Sequence, residues 1–165
     1  MHLRTTACVG LLGVLATAVW AQSPAENQQT SACTFADGGQ VSVRYEPTPV
    51  HSDRPAEGRV WSAGESPMYL FTTTVLKAGD TQIPVGAYSL YVIPLKSQWT
   101  LVVNKDVTSK KYDAQQDIVR LPMDLGSLDA AEKNVQLLFA HVAPKQCSLR
   151  LYYGKTGAWA VFSEP

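Results

Sequence analysis

The chain has 165 residues, room for one domain and too few for two comfortable ones. Its 14 Lys and Arg balance its 14 Asp and Glu. That neutrality excludes a nucleic-acid binder relying on bulk positive charge, and an acidic disordered tail. With 45% apolar and 17% charged residues, the chain has material for a core and no signature of disorder.

In chain order, the first feature is an export signal. Met1-His2-Leu3-Arg4 is short and basic, and Thr5 to Val19 carries no charge. Val19-Trp20-Ala21 then puts small residues at the two positions a signal peptidase reads. Residues 1–21 therefore read as a secretory signal peptide. The uncharged run of about 15 residues falls short of the roughly 20 that a spanning helix needs, and no later stretch is long enough. The expected location is periplasmic or extracellular, with no membrane span after cleavage. Cleavage removes Arg4 and Cys8, leaving one net negative charge and two cysteines, Cys33 and Cys147. In an oxidising compartment two cysteines usually make one disulfide. A Cys33–Cys147 bond joining the first and last parts of the domain is expected, against the alternative of two buried thiols.

Residues 22–32 are polar, lack periodicity and read as a flexible leader. From Cys33 on, residues 33–165 read as one domain of short apolar runs separated by turn residues. Cys33–Ala36 and Gln40–Tyr45 flank Asp37-Gly38-Gly39, a hairpin signal, and Val41, Val43 and Tyr45 alternate with polar residues. Residues 46–57, with Pro47, Pro49 and Pro55, predict an irregular loop. Met68–Val75, Thr81–Ile83, Ala87–Ile93 and Trp99–Asn104 predict strands, with a turn at Lys77–Asp80. The polar stretch 105–117 predicts a loop and Ile118–Met123 a strand, with one helical turn within 124–133. Val135–Val142 is apolar on both faces, which predicts a central strand. Cys147–Tyr153 and Ala158–Phe162 flank a second hairpin at 154–157. The sum is an all-β chain: an antiparallel β-sandwich, or partly closed barrel, of about 8–10 short strands with little helix.

Chemistry is harder to find. Beyond the leader the histidines are His51 and His141, and there is no H-E-x-x-H, C-x-x-C or EF-hand loop. His51 and Asp53 offer two ligands where a metal site needs three or four, so neither metal nor cofactor is expected. Gly64-Glu65-Ser66-Pro67 departs from G-x-S-x-G. Glu57, Glu65, Asp113 and Asp117 are acids that no spacing pairs. The aromatics say more. Trp61 stands beside Arg59, Trp99 opens a strand, Tyr112 lies in the polar loop and Tyr152-Tyr153 lies near a hairpin end. Rings at loop ends beside charged groups suit a ligand platform, or else plug the end of a sandwich. Candidate contacts are Arg59, Trp61, Glu65, Trp99, Lys105, Tyr112 and Asp113; no catalytic residue is assigned. The expectation is a non-catalytic binding or accessory module for a small molecule, glycan or peptide. The alternatives are a carboxylate- or histidine-dependent hydrolase and an envelope protein that pairs through an edge strand.

Several segments together resemble a bacterial exported family catalogued as domain of unknown function 2911. Gly58-Arg59-Val60-Trp61-Ser62-Ala63-Gly64 is similar to its G-[KR]-V-W-R-x-G stretch, and residues 83–90 to its L-x-A-G-T-Y-S-L stretch. Ile93-Pro94, Trp99-Thr100, Asn104-Lys105, Tyr112-Asp113 and Asp117 to Arg120 follow in the same order. Residues 151–155 are similar to its terminal L-x-W-G-K. The chain departs at Ser62, where arginine is expected, at Glu65-Ser66-Pro67, where Asn-Glu is expected, and at Tyr153, where tryptophan is usual. The resemblance implies a fold and an exported location, and no activity.

Overall fold

A computed structural model describes residues 27–51, 55–63, 66–109 and 111–165. The signal-peptide reading and most of the leader lie outside these residues. Among the described residues eleven strands run in chain order: β1 Gln29–Thr34, β2 Gln40–Tyr45, β3 Met68–Thr72, β4 Leu76–Ala78, β5 Thr81–Ile83 and β6 Gly86–Pro94. They continue with β7 Trp99–Asn104, β8 Asp117–Ser127, β9 Gln136–Ala143, β10 Gln146–Tyr153 and β11 Thr156–Ser163. All pairings are antiparallel, in the order β1-β2-β3-β6-β7-β8-β11-β10-β9, with the β4–β5 hairpin attached to the end of β11. This is the expected all-β architecture, a nearly closed barrel or sandwich with little helix. A 3-10 turn at Ala114–Gln116 precedes β8.

Alternation sets the core. In β6, Tyr88, Leu90 and Val92 are buried; in β7, Trp99, Leu101 and Val103 are; in β11, Ala158, Ala160 and Phe162 are. One face of each strand thus points into a common interior, as period-two side-chain placement requires. β8 joins the two sheets. Its first half pairs with β7, from Trp99↔Met123 to Asn104↔Asp117, and its second half pairs with β11 from Trp159↔Asp124 to Thr156↔Ser127.

β1 and β9 end the strand order and lie against each other. The Phe139 N–H donates to Ser31 Oγ at 2.8 Å across this seam. The expected Cys33–Cys147 disulfide is formed and links β1 to β10, with Cα atoms 6.2 Å apart.

Local differences have local causes. The run 68–75 is broken after Thr72, whose hydroxyl donates to the Thr74 carbonyl and accepts from the Thr74 N–H. That side-chain turn competes with the ladder, so Leu76–Ala78 forms its own strand ahead of a turn with Gly79 at φ 58°. β1 takes in residues 29–32, which the sequence assigned to the leader, because they pair with β2 from Gln29↔Tyr45 onward. The helical turn expected within 124–133 is absent, since β8 continues to Ser127. β9 is not central but ends the strand order. Its outer apolar residues Leu138 and Val142 are exposed, while Val135 and Leu137 are buried.

The disulfide closes 114 residues of chain. Loop-closure entropy assigns such a bond about 5 kcal/mol. Cys33→Ala/Cys147→Ala is expected to lower urea-unfolding stability by several kcal/mol, and to abolish the stability difference between reduced and unreduced protein.

Candidate functional site

The aromatic candidates fall at two ends of β7. At its start, Trp61 and Trp99 meet edge to face with centroids 6.0 Å apart, and Trp61 meets Tyr153 the same way at 5.0 Å. Trp61 is held there by two backbone hydrogen bonds of 2.8 Å with Val92. It packs against the core, so it acts as a plug that fixes Trp99 and Tyr153. Arg59 is exposed beside it, its N–H bonded to the Ala56 carbonyl.

Trp99 and Tyr153 line a groove of about 670 Å³ at this end. The β6–β7 turn supplies Leu95 and Lys96, the end of β8 supplies Leu125 to Ser127, and the β10–β11 hairpin supplies Lys155 and Thr156. The tight Gly154-Lys155 turn, with Gly154 at φ 57°, points the hairpin tip at this groove. The loop before Trp61 is pinned to the same turn. Gly58 N–H donates to the Pro94 carbonyl at 2.8 Å, and Lys96 N–H to Glu57 Oε1 at 3.0 Å. The wall is therefore held by short contacts from three elements. It offers aromatic and aliphatic surface together with two lysines and two hydroxyls.

At the other end of β7 the polar candidates build a closed network. Asn104 is 1% exposed. Its Nδ2 donates to the Asp113 carbonyl at 2.9 Å and to Asp117 Oδ1 at 2.8 Å, and its Oδ1 accepts from Asp106 N–H at 2.9 Å. Asp117 Oδ2 accepts from the Tyr112 hydroxyl at 2.6 Å and from Arg120 Nε at 2.9 Å. Arg120 Nη2 also donates to the Tyr112 hydroxyl at 2.8 Å. Burial and the carboxylate of Asp117 push the Tyr112 hydroxyl pKa up. Asp113 caps the 3-10 turn, its Oδ1 accepting from Gln115 N–H at 2.9 Å. Lys105 is exposed, with its N–H bonded to the Gln116 carbonyl. Each of these carboxylates already has donors from the chain, so the network anchors loop 105–116 to the sheet.

A smaller cleft of about 330 Å³ lies beside this network on the outer face of β3 and β6, floored by Tyr69, Ser89 and Tyr91 and rimmed by Ser62 and Ser109. Its serine hydroxyl protons are spent within the protein: Ser89 donates to the Asp106 carbonyl, Ser62 to Ser66 and Ser109 to Lys111. The candidate contacts thus divide. Trp61 and Trp99 come together, with Arg59 near them. Lys105, Tyr112 and Asp113 gather elsewhere, and Glu65 and Asp53 lie outside the described residues. Sequence reading left Lys96, Lys155 and Trp159 out of the candidate contacts: Lys155 appeared only within the L-x-W-G-K resemblance, and nothing local places any of the three beside a groove.

Of the acids considered for hydrolysis, Glu65 lies outside the described residues, and Glu57 at the groove stands apart from Asp113 and Asp117, which share the network at the opposite end of β7. A different pair does meet. Asp37, in the β1–β2 turn, faces Glu164, which is 8% exposed. Burial, then the neighbouring Asp37 carboxyl, pushes the Glu164 carboxyl up; the Gly39 N–H, then the Glu164 carboxyl, hold Asp37 down. Among the described residues no group of three or more His, Cys, Asp or Glu is placed to hold a metal ion. No described helix is long and apolar enough to cross a membrane.

Fold and groove together define an antiparallel β-sandwich, closed nearly into a barrel, with an aromatic-walled groove at one end. The chain matches the family described as Protein of unknown function (DUF2911) over residues 25–161 and belongs to that family. Neither the curated proteins nor the solved structures give a match.

Two outcomes are expected. Asn104→Ala strands buried partners and lowers stability by about 2–3 kcal/mol in urea unfolding, leaving groove residues in place. For the acid pair, a raised carboxyl stabilises fully below its ordinary value and loses that contribution as pH rises through the raised one, whereas the lowered Asp37 acts oppositely. Glu164→Gln, which keeps a donor toward Asp37, should therefore raise the melting temperature at pH 7 and flatten its decline above pH 4.5. Calorimetry from pH 3 to 8 checks this; an unchanged pH profile would refute the pairing.

Proposed function

We propose that this chain is an exported, non-catalytic binding module that holds a glycan in the groove walled by Trp99 and Tyr153. The observation that carries the reading is the groove itself, about 670 Å³, with Trp99 and Tyr153 both buttressed by Trp61. Trp99 is only 7% exposed and Tyr153 half-buried, so stacking against the C–H surface of a sugar falls chiefly to Tyr153, and a ring fixed in this way loses little freedom on binding. Lys96 from the β6–β7 turn and Lys155 from the β10–β11 hairpin line it, and Ser127 and Thr156 add hydroxyls. Such a mix of apolar surface with a few polar groups is characteristic of small-ligand sites of this size. The separation of Glu57 from Asp113 and Asp117 favours binding over hydrolysis. The export signal and the disulfide support an oxidising location.

Affinity electrophoresis in gels containing xylan, glucomannan or alginate, with pull-down on insoluble cellulose, chitin and peptidoglycan sacculi, tests the reading. At least one of these should retain the protein, and Lys96→Ala/Lys155→Ala should weaken retention about tenfold, equivalent to about 1.4 kcal/mol. Retention by none of them, or equal retention of the double variant, would overturn it.

A further inference from the structure

We infer that the groove is one part of a longer surface, and that its ligand is a linear polysaccharide whose chain continues over the end of β8 onto Trp159 and Tyr152. The inference rests on the groove being a glycan site and names the form of the glycan.

The first observation is which way these rings point. In β10 and β11 the inward residues are Leu149, Leu151, Ala158, Ala160 and Phe162, all buried. Alternation therefore turns Arg150, Tyr152 and Trp159 outward. Trp159 is half-buried without being among the residues packed on the core. Its indole is spread across the outer face of the sheet instead.

The second observation is how the ring lies. A Cβ at Gly126 would stand 2.6 Å from Trp159 Cη2 and 2.8 Å from Cζ3, and one at Gly157 would stand 3.5 Å from Cζ3 and 3.4 Å from the Tyr152 ring. Gly126 and Gly157 pair with each other across β8 and β11. Neither has a positive φ, so backbone conformation does not demand glycine at either place. At Gly126 the indole demands it, since a Cβ there would run into the ring, while at Gly157 a Cβ would only touch it at ordinary contact distance; the indole thus lies across two strands with Gly126 kept bare beneath it. A ring laid against a sheet in this way covers backbone with one side and leaves the other toward solvent. That arrangement contributes little to the core and suits stacking on a ligand.

The third observation is continuity. Gly126 also lines the groove, so the ring surface starts where the groove ends. Trp99 is paired with Met123 and Trp159 with Asp124. Met123 faces the core and Asp124 the outer side, so Trp99 points inward and Trp159 outward, with the end of β8 at Gly126 as the rim between them. A ligand that reaches both must cross this rim, which takes more than one sugar ring and calls for a chain. Arg150 and Asp124 lie level with Trp159 in register, and Gln136 lies level with Tyr152. Groups of both signs beside the rings match the hydroxyls of a sugar chain, whereas an apolar protein partner would bury those charges at a cost.

The test uses the full secreted protein and oligosaccharides of graded length cut from whichever polymer of the panel retains it, titrated calorimetrically. Affinity should climb with length until the chain spans both surfaces. Trp159→Ala should weaken the longest oligomer about tenfold and leave the shortest unchanged, while Lys96→Ala/Lys155→Ala weakens all lengths. Tyr152→Ala, which removes the other outward ring and leaves the groove lining intact, should act like Trp159→Ala, and it decides the matter should Trp159→Ala fail to fold by circular dichroism. Length-independent affinity, or equal loss at every length in these variants, would overturn the inference while leaving the groove reading standing. Retention by no polymer overturns both.

Discussion

The covalent tie between β1 and β10 is the constraint on which the rest of the molecule leans. A sheet of nine strands in sequence leaves two edges, and edges invite pairing with other chains. Here the edges, β1 and β9, are folded onto each other. The Ser31–Phe139 contact and the Cys33–Cys147 bond fasten them. Because Cys33 bonds to β10, one strand in from the edge, the tie spans the seam itself. With the seam shut, the inward faces of all the long strands share one interior. The strand ends around it become fixed supports for loops.

β8 turns that closure into a shaped surface. It pairs with β7 through its first half and with β11 through its second. The groove opens where it passes from one sheet to the other. On its inner side Met123 is buried in the core; on its outer side Asp124 stands level with Trp159. Trp61 closes the barrel end behind Trp99 and Tyr153. The same ring that serves as core packing therefore also holds the groove wall. Core stability and the shape of the groove are coupled through this residue.

At the far end of β7, the hydrogen bonds around Asn104 and Asp117 do a different job. A polar loop of this length has few apolar residues to hold it. Its carboxylates accept from its own N–H and hydroxyl groups, Asp106 from Thr108 and Ser109 and Asp113 from Gln115, while buried Asn104 ties its backbone to the sheet. Such a network fixes position at modest net energy, since each bond replaces one to water. Residues resembling a family motif there, Asn104-Lys105, Tyr112-Asp113 and Asp117 to Arg120, thus have a physical reason in loop anchoring.

The sequence by itself determined the class of fold, the hairpins at Asp37–Gly39 and after Tyr153, and the disulfide once only two cysteines remained beyond the leader. These rest on local signals: alternation, turn residues and a count. It also named Trp61 and Trp99 as aromatics at strand ends. It misplaced Val135–Val142 in the centre, because an edge strand packed against another edge is as apolar as a central one. It joined residues 68–75 into one strand, because the Thr72–Thr74 turn leaves β-branched residues that look like strand. Only the tertiary structure divided the candidate contacts between the two ends of β7, paired Asp37 with Glu164 and set Trp159 on Gly126 and Gly157. Each of these depends on which strands become neighbours. That choice is made by the packing of the whole interior, and no local stretch of sequence encodes it.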